Sequence, residues 1–130
     1  MRKIKIYRPP GRDAPMDVFF ASLDPKLRRK LIWQLFRLSQ TELCDLKEPH
    51  FKHFALERYN QFYELREKNK FLVRIIFTVD EANGDILLLQ PFIKRQQRDT
   101  LRALEQALDV LSVIRKNPDY AADFHYYKGE

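Results

Sequence analysis

Three apolar runs, Phe62 to Arg66, Phe71 to Val79 and Ile86 to Ile93, follow one another along this chain with only short polar spacers between them. Extended segments joined so closely pair as antiparallel hairpins, because a parallel return needs a crossover of a dozen residues or more. The spacers, Glu67-Lys68-Asn69-Lys70 and Asp80-Glu81-Ala82-Asn83-Gly84-Asp85, have the composition of turns. The same arrangement carries charge. Glu64-Leu65-Arg66, Arg74 and Lys94-Arg95 fall on the three successive strands, so the sheet brings cations toward one place.

The flanking segments complete an α+β pattern. Ile4 and Ile6 alternate with Lys3, Lys5 and Tyr7 as a short strand with one buried face, ended by Pro9-Pro10-Gly11. Asp13 is placed to cap a short helix containing Val18, Phe19, Phe20 and Leu23. Asp24-Pro25 then starts a second helix, with proline at the first helical position. In that helix Leu27, Leu31, Leu35 and Leu38 recur at helical spacing, while Arg28, Arg29, Lys30 and Arg37 lie mostly off the stripe, where solvation is their expected role. A short strand is expected within Phe51 to Leu56. Leu101, Leu104, Leu108 and Leu111 mark a last helix from about Gln97 to Lys116, stopped by Asn117-Pro118. The reading is one domain over residues 1–130: a small antiparallel (mixed) sheet packed against two N-terminal helices, with a C-terminal helix. The polar, aromatic tail 117–130 is expected either to cover the site or to hang free.

Composition narrows the partners. Lys and Arg number 24 against 18 Asp and Glu, a net charge of +6, which favours nucleic acid, an acidic membrane surface or an acidic protein. The single Cys44 excludes an internal disulfide and a cysteine zinc cluster, and is expected as a small buried or half-buried thiol. The first residues alternate charge with apolarity and read as neither a signal peptide nor a membrane span, so the expected location is cytoplasmic. His50 and His53 are spaced too loosely to define a metal site, and no metal or cofactor is expected.

Strand alternation places Phe62, Glu64 and Arg66 on one face and Tyr63 and Leu65 on the other. Arg74 shares its face with Leu72, Ile76 and Thr78, and burying it unpaired would be costly, so an anion must lie beside it. The candidates are Glu64 as a structural ion pair, an acidic partner protein, or an RNA phosphate. Lys94 and Arg95 close the third strand, and Arg98 and Arg102 follow on the helix as a basic rim. Trp33 and the phenylalanines are expected in the core, as is Tyr63.

The order strand, two helices, Tyr63-Glu64-Leu65-Arg66, Val73-Arg74-Ile75-Ile76-Phe77, Gln90-Pro91-Phe92-Ile93-Lys94-Arg95 and a terminal helix, over residues 3 to 115, resembles the phage-derived HigB-like toxins of the RelE superfamily. The resemblance implies a RelE-like fold and the toxin of a type II toxin–antitoxin pair. Such a toxin is a ribosome-dependent, metal-independent mRNA endonuclease neutralised by a cognate helix-turn-helix antitoxin. It implies Arg66, Arg74 and Lys94 as the catalytic cations and Arg95, Arg98, Lys68 and Lys70 as further RNA-binding residues.

Cleavage by the RNA's own 2′-hydroxyl needs charge stabilisation at the phosphate, a base and an acid, and the three cations suit the first role. Many relatives carry His-Gly where this chain has Gln90-Pro91, which leaves the base and acid unassigned. The alternative is a non-catalytic basic module that docks on RNA or an antitoxin. A phage structural or assembly protein is a third reading, which gives no reason for converging cations.

Overall fold

The computed structural model describes residues 2–126, and the elements follow from local chemistry. Strand β1 (Ile4–Tyr7) buries its isoleucines and is followed by a turn in which Gly11 adopts a positive φ of 76°. Helix α1 (Pro15–Ala21) takes Ala14 as its N-cap with no side-chain cap bond. Asp13 therefore does not cap it, and Leu23 lies beyond its end. Pro15 sets the start instead, since its fixed φ suits the first helical turn and its missing N–H has no partner there. Helix α2 (Pro25–Gln40) starts after Asp24 as expected.

The hairpins follow as β3 (Tyr63–Lys68), β4 (Leu72–Val79) and β5 (Ile86–Lys94), preceded by β2 (Phe51–His53), which is shorter than the expected Phe51–Leu56. Helix α3 covers Gln97–Lys116. Beyond it, a 3₁₀ turn at Pro118–Tyr120 leads into β6 (Ala121–Asp123).

The six strands form one sheet in the order β2-β3-β4-β5-β1-β6. It is mixed: β1 runs parallel to β5, and every other pairing is antiparallel. The two helices between β1 and the hairpins supply the crossover that a parallel pairing needs. Beside β1 lies β6, so the chain beyond Asn117 neither covers the cationic face nor hangs free through Tyr126. Phe124 is buried with its ring edge-on to Phe20 at 4.9 Å. Residues 127–130 of the expected tail lie outside the described residues.

Each face of the sheet carries an apolar layer. On one, Phe20 of α1 and Leu31, Leu35 and Leu38 of α2 pack with Leu65, Ile75, Phe77 and Leu88. On the other, Ala103, Leu104, Ala107 and Leu111 of α3 pack with Phe62, Ile76, Leu87 and Leu89. Tyr63 is half-buried, its ring stacked between His53 and Phe77, as a core role requires. Three expectations fail. Trp33 is 58% exposed because its position on α2 faces away from the leucine stripe, Phe71 is 51% exposed because it lies in the turn before β4 and not in the strand, and Cys44 is exposed on a 3₁₀ turn outside both layers. Among the described residues no helix is long and apolar enough to cross a membrane.

Candidate nucleic-acid interface

The register brings the expected cations together. Arg66 lies opposite Arg74, which in turn lies opposite Phe92, and Leu72 lies opposite Lys94. Directly paired residues project to the same face, so Arg66, Arg74, Phe92 and Lys94 share the α3 side of the sheet. Lys94 gets there through an irregularity. Ile76 pairs with Gln90 but Phe77 with Leu88, leaving Leu89 as an extra residue in β5. Leu87 and Leu89 already face α3, so simple alternation would send Phe92 and Lys94 to the opposite side. The bulge resets the alternation and turns both toward α3, and Phe92 packs against that layer.

Glu64 organises the pair of arginines. It is 2% exposed, and its Oε1 accepts a hydrogen bond from Arg66 Nε at 2.8 Å and lies 3.5 Å from Arg74 Nε. Arg66 Nη1 reaches across to Glu48 at 2.9 Å. Arg74 keeps only 12% of its side chain exposed; its Nη1 donates to the Val73 carbonyl at 3.3 Å, and its Nε has no hydrogen-bond acceptor. Burial lowers the proton affinity of Arg74, neighbouring Arg66 adds to that effect, and Glu64 opposes both. The guanidinium still stays charged, as arginine does in proteins. Glu64 Oε2, also buried, has no hydrogen-bond partner among the described residues. The face thus holds two guanidiniums on one carboxylate oxygen, with the other oxygen free.

The remaining expected residues divide. Lys94 is half-buried, and its side chain makes no hydrogen bond or ion pair among the described residues. Lys68, exposed at the end of β3, is paired with Leu72 and so extends the row beyond Arg66. Lys70 is exposed in the following turn. Arg95 and Arg102 line a groove of about 330 Å³ with Phe92, Asp99 and Gln106, which adjoins the arginine pair through Phe92. Arg98 folds back onto its own cap: with the Gln96 amide turned so that its oxygen faces the guanidinium, that oxygen accepts from Arg98 Nε at 2.8 Å. Asp99 fixes the start of α3 by accepting the backbone N–H groups of Arg95 and Gln96 at 2.8 and 2.9 Å, and those bonds lower its pKa.

Residues 18–112 match the family model described as Phage derived protein Gp49-like (DUF891), a span that contains Arg66, Arg74 and Lys94. The chain belongs to this Gp49-like family. No curated protein and no solved structure matches it.

Within the Gp49-like chain, a second ionic cluster anchors α3 over the sheet. Arg58 grips Glu105 with both Nε and Nη2 at 2.8 and 2.7 Å, and Tyr59 donates to the same carboxylate at 2.5 Å. These bonds hold the Glu105 carboxyl down at about 2, while the bond to Glu105 raises Tyr59. A larger cavity of about 690 Å³ lies at the opposite end of the sheet, lined by Gln61, Thr78, Asp80, Leu111 and Arg115, away from the cations. Among the described residues no three His, Cys, Asp or Glu side chains group to hold a metal ion. Sequence reasoning missed Glu48 and Phe92. Glu48 carries no local signal, since its partner is 18 residues away. Phe92 was hidden by the bulge at Leu89, although its position inside the motif strand marked it for attention.

Proposed function

We propose that this Gp49-like chain is the toxin of a type II toxin–antitoxin pair, a ribosome-dependent mRNA endonuclease acting in the cytoplasm and restrained by a helix-turn-helix antitoxin. The family is often tied to toxin–antitoxin pairs, which supports the class. The observation that carries the mechanism is the shared α3-side face of three neighbouring strands, where Arg66 and Arg74 hold a buried Glu64 with one unpartnered oxygen and Lys94 lies on the next strand, one position diagonal to Arg74.

In this reading the scissile phosphate lies against Arg74 and Lys94, with Arg66 completing the positive field. Arg74 swings onto the phosphate and uncovers Glu64 Oε2, which is buried in the free protein and then takes the proton of the ribose 2′-hydroxyl as that oxygen attacks phosphorus. The phosphorus–5′-oxygen bond breaks, and the departing oxygen takes a proton from Lys94, the cation of the three that no carboxylate holds. The products are a 2′,3′-cyclic phosphate and a free 5′-hydroxyl, with no metal or redox partner required. Glu64 thereby fills the place left open by Gln90-Pro91.

The second reading, a non-catalytic module that binds RNA or antitoxin, is favoured by one observation: Arg66 is already bonded to both Glu64 and Glu48. Mapping mRNA ends in a purified translation reaction separates the two. Wild type should produce cuts within the ribosome-bound codon, and both the Arg74→Ala/Lys94→Ala double variant and Glu64→Gln should lose them while keeping a cooperative unfolding transition. Intact mRNA with folded wild type would leave only the binding module.

A further inference from the structure

Helix α2 presents to water a surface that neither the core nor the cationic face uses. Trp33, the only tryptophan, is 58% exposed and stacks on half-buried Phe36 at 5.6 Å with an interplanar angle of 18°. Arg29 and Arg37 are exposed four residues either side of Trp33, Gln40 is exposed four residues after Phe36, and exposed Lys26 lies three residues before Arg29, so they form one continuous stripe. The helix has Lys26, Arg28, Arg29, Lys30 and Arg37 and no carboxylate at all. Arg28 is spent internally, donating to the carbonyls of Phe20 and Leu23 at the end of α1. Lys30 Nζ donates to the Lys68 carbonyl at 3.3 Å and Arg37 Nη1 to Gln34 Oε1 at 3.0 Å, while Lys26 and Arg29 make no side-chain hydrogen bond among the described residues.

Keeping an indole in water forgoes its burial free energy, and exposed aromatic patches rimmed by charge mark contact surfaces. A rigid helical ridge of stacked aromatics, flanked by cations and by no carboxylate of its own helix, is complementary to an amphipathic helix with an apolar stripe and acidic flanks. RNA is the less suitable occupant, because α2 packs on the side of the sheet opposite Arg74 and Lys94, and one strand held at the cations would have to wrap around the sheet to reach Trp33. From the aromatic ridge and the one-signed charge of its helix, we infer that the Trp33–Phe36 face of α2 docks an acidic amphipathic helix of a protein partner. The inference rests on the toxin–antitoxin reading only for the identity of that partner, the antitoxin.

The test uses the full chain and the product of the reading frame adjoining its own, with affinity measured by calorimetry for wild type, Trp33→Ala/Phe36→Ala, Trp33→Phe and Arg74→Ala. Both altered positions on α2 lie outside the fully buried layers, and matching circular dichroism and melting midpoints check that the variants fold. The double alanine variant should weaken binding about thirtyfold or more, as loss of an aromatic anchor does. Trp33→Phe should keep most of the affinity, and Arg74→Ala should change it by less than about threefold. Raising salt should weaken the wild-type complex, and Arg29→Glu/Arg37→Glu should weaken it further at low salt.

A complex that Trp33→Ala/Phe36→Ala leaves within about threefold of wild type overturns the docking face while the antitoxin assignment stands. Absence of any wild-type complex overturns both, and mRNA cleavage, read separately, then decides the nuclease. A single-stranded RNA oligonucleotide serves as the other probe: if its binding, and not the protein's, falls in the double variant, the face belongs to RNA and the inference fails.

Discussion

Glu64 is the residue on which the candidate site turns, because one buried carboxylate oxygen faces two guanidiniums that would otherwise repel each other across adjacent strands. Removing its charge leaves Arg74 half-buried beside Arg66 with no compensating anion. Glu64→Gln should therefore lower the unfolding free energy by about 2 kcal/mol, less than for a fully buried pair because both arginines retain some solvent; urea denaturation measures it. Glu105 gives the pH-dependent counterpart. Its carboxyl is held at about 2 against an ordinary 4.5, so it stabilises the fold above 4.5 and that contribution fades as pH falls toward 2. The stability difference between wild type and Glu105→Gln should accordingly be largest above pH 4.5 and vanish near pH 2, followed by chemical denaturation across that range. At this scale the sequence named Arg66, Arg74 and Lys94, since a lone cation in an apolar strand is conspicuous. It could not say that Glu48, far along the chain, would hold Arg66.

Two elements decide what those residues can do. The bulge at Leu89 turns the second half of β5 over, placing Lys94 beside the arginines and Phe92 against the α3 layer. The other is β6, which pairs with β1 and delivers Phe124 onto Phe20 in the layer under α1 and α2. Phe124→Ala should cost about 3–5 kcal/mol, the range for emptying a phenylalanine site in a core. A urea midpoint shift with unchanged denaturant slope would show it, and amide exchange should accelerate first in Ile4–Tyr7, the strand that β6 covers. Helix periodicity made α2 and α3 readable because leucines at three- and four-residue spacing leave one arrangement. The β6 segment was unreadable: three residues, Ala121–Asp123, carry no periodicity, and only the free edge of β1 makes them a strand.

For the molecule as a whole, a net charge of +6 predicts attraction to polyanions, and the shared face predicts how many phosphates are engaged. With three cations on single-stranded RNA, log affinity should fall with log salt at a slope of about −2, and Lys94→Ala should reduce that slope by about 0.7; fluorescence anisotropy of a labelled oligonucleotide at several salt concentrations gives both values. By itself the sequence determined the α+β class, the hairpin series β3-β4-β5, the three helices, the excess of cations and their placement on successive strands. Each of these depends on local spacing, on turn residues such as those of Glu67–Lys70, or on composition. The tertiary structure alone decided that β1 runs parallel to β5, that the tail returns as β6, that Glu64 serves both arginines, and that Trp33 faces water. Those outcomes depend on which distant segment lies alongside and on which faces the finished layers leave uncovered, relations that no window of neighbouring residues contains.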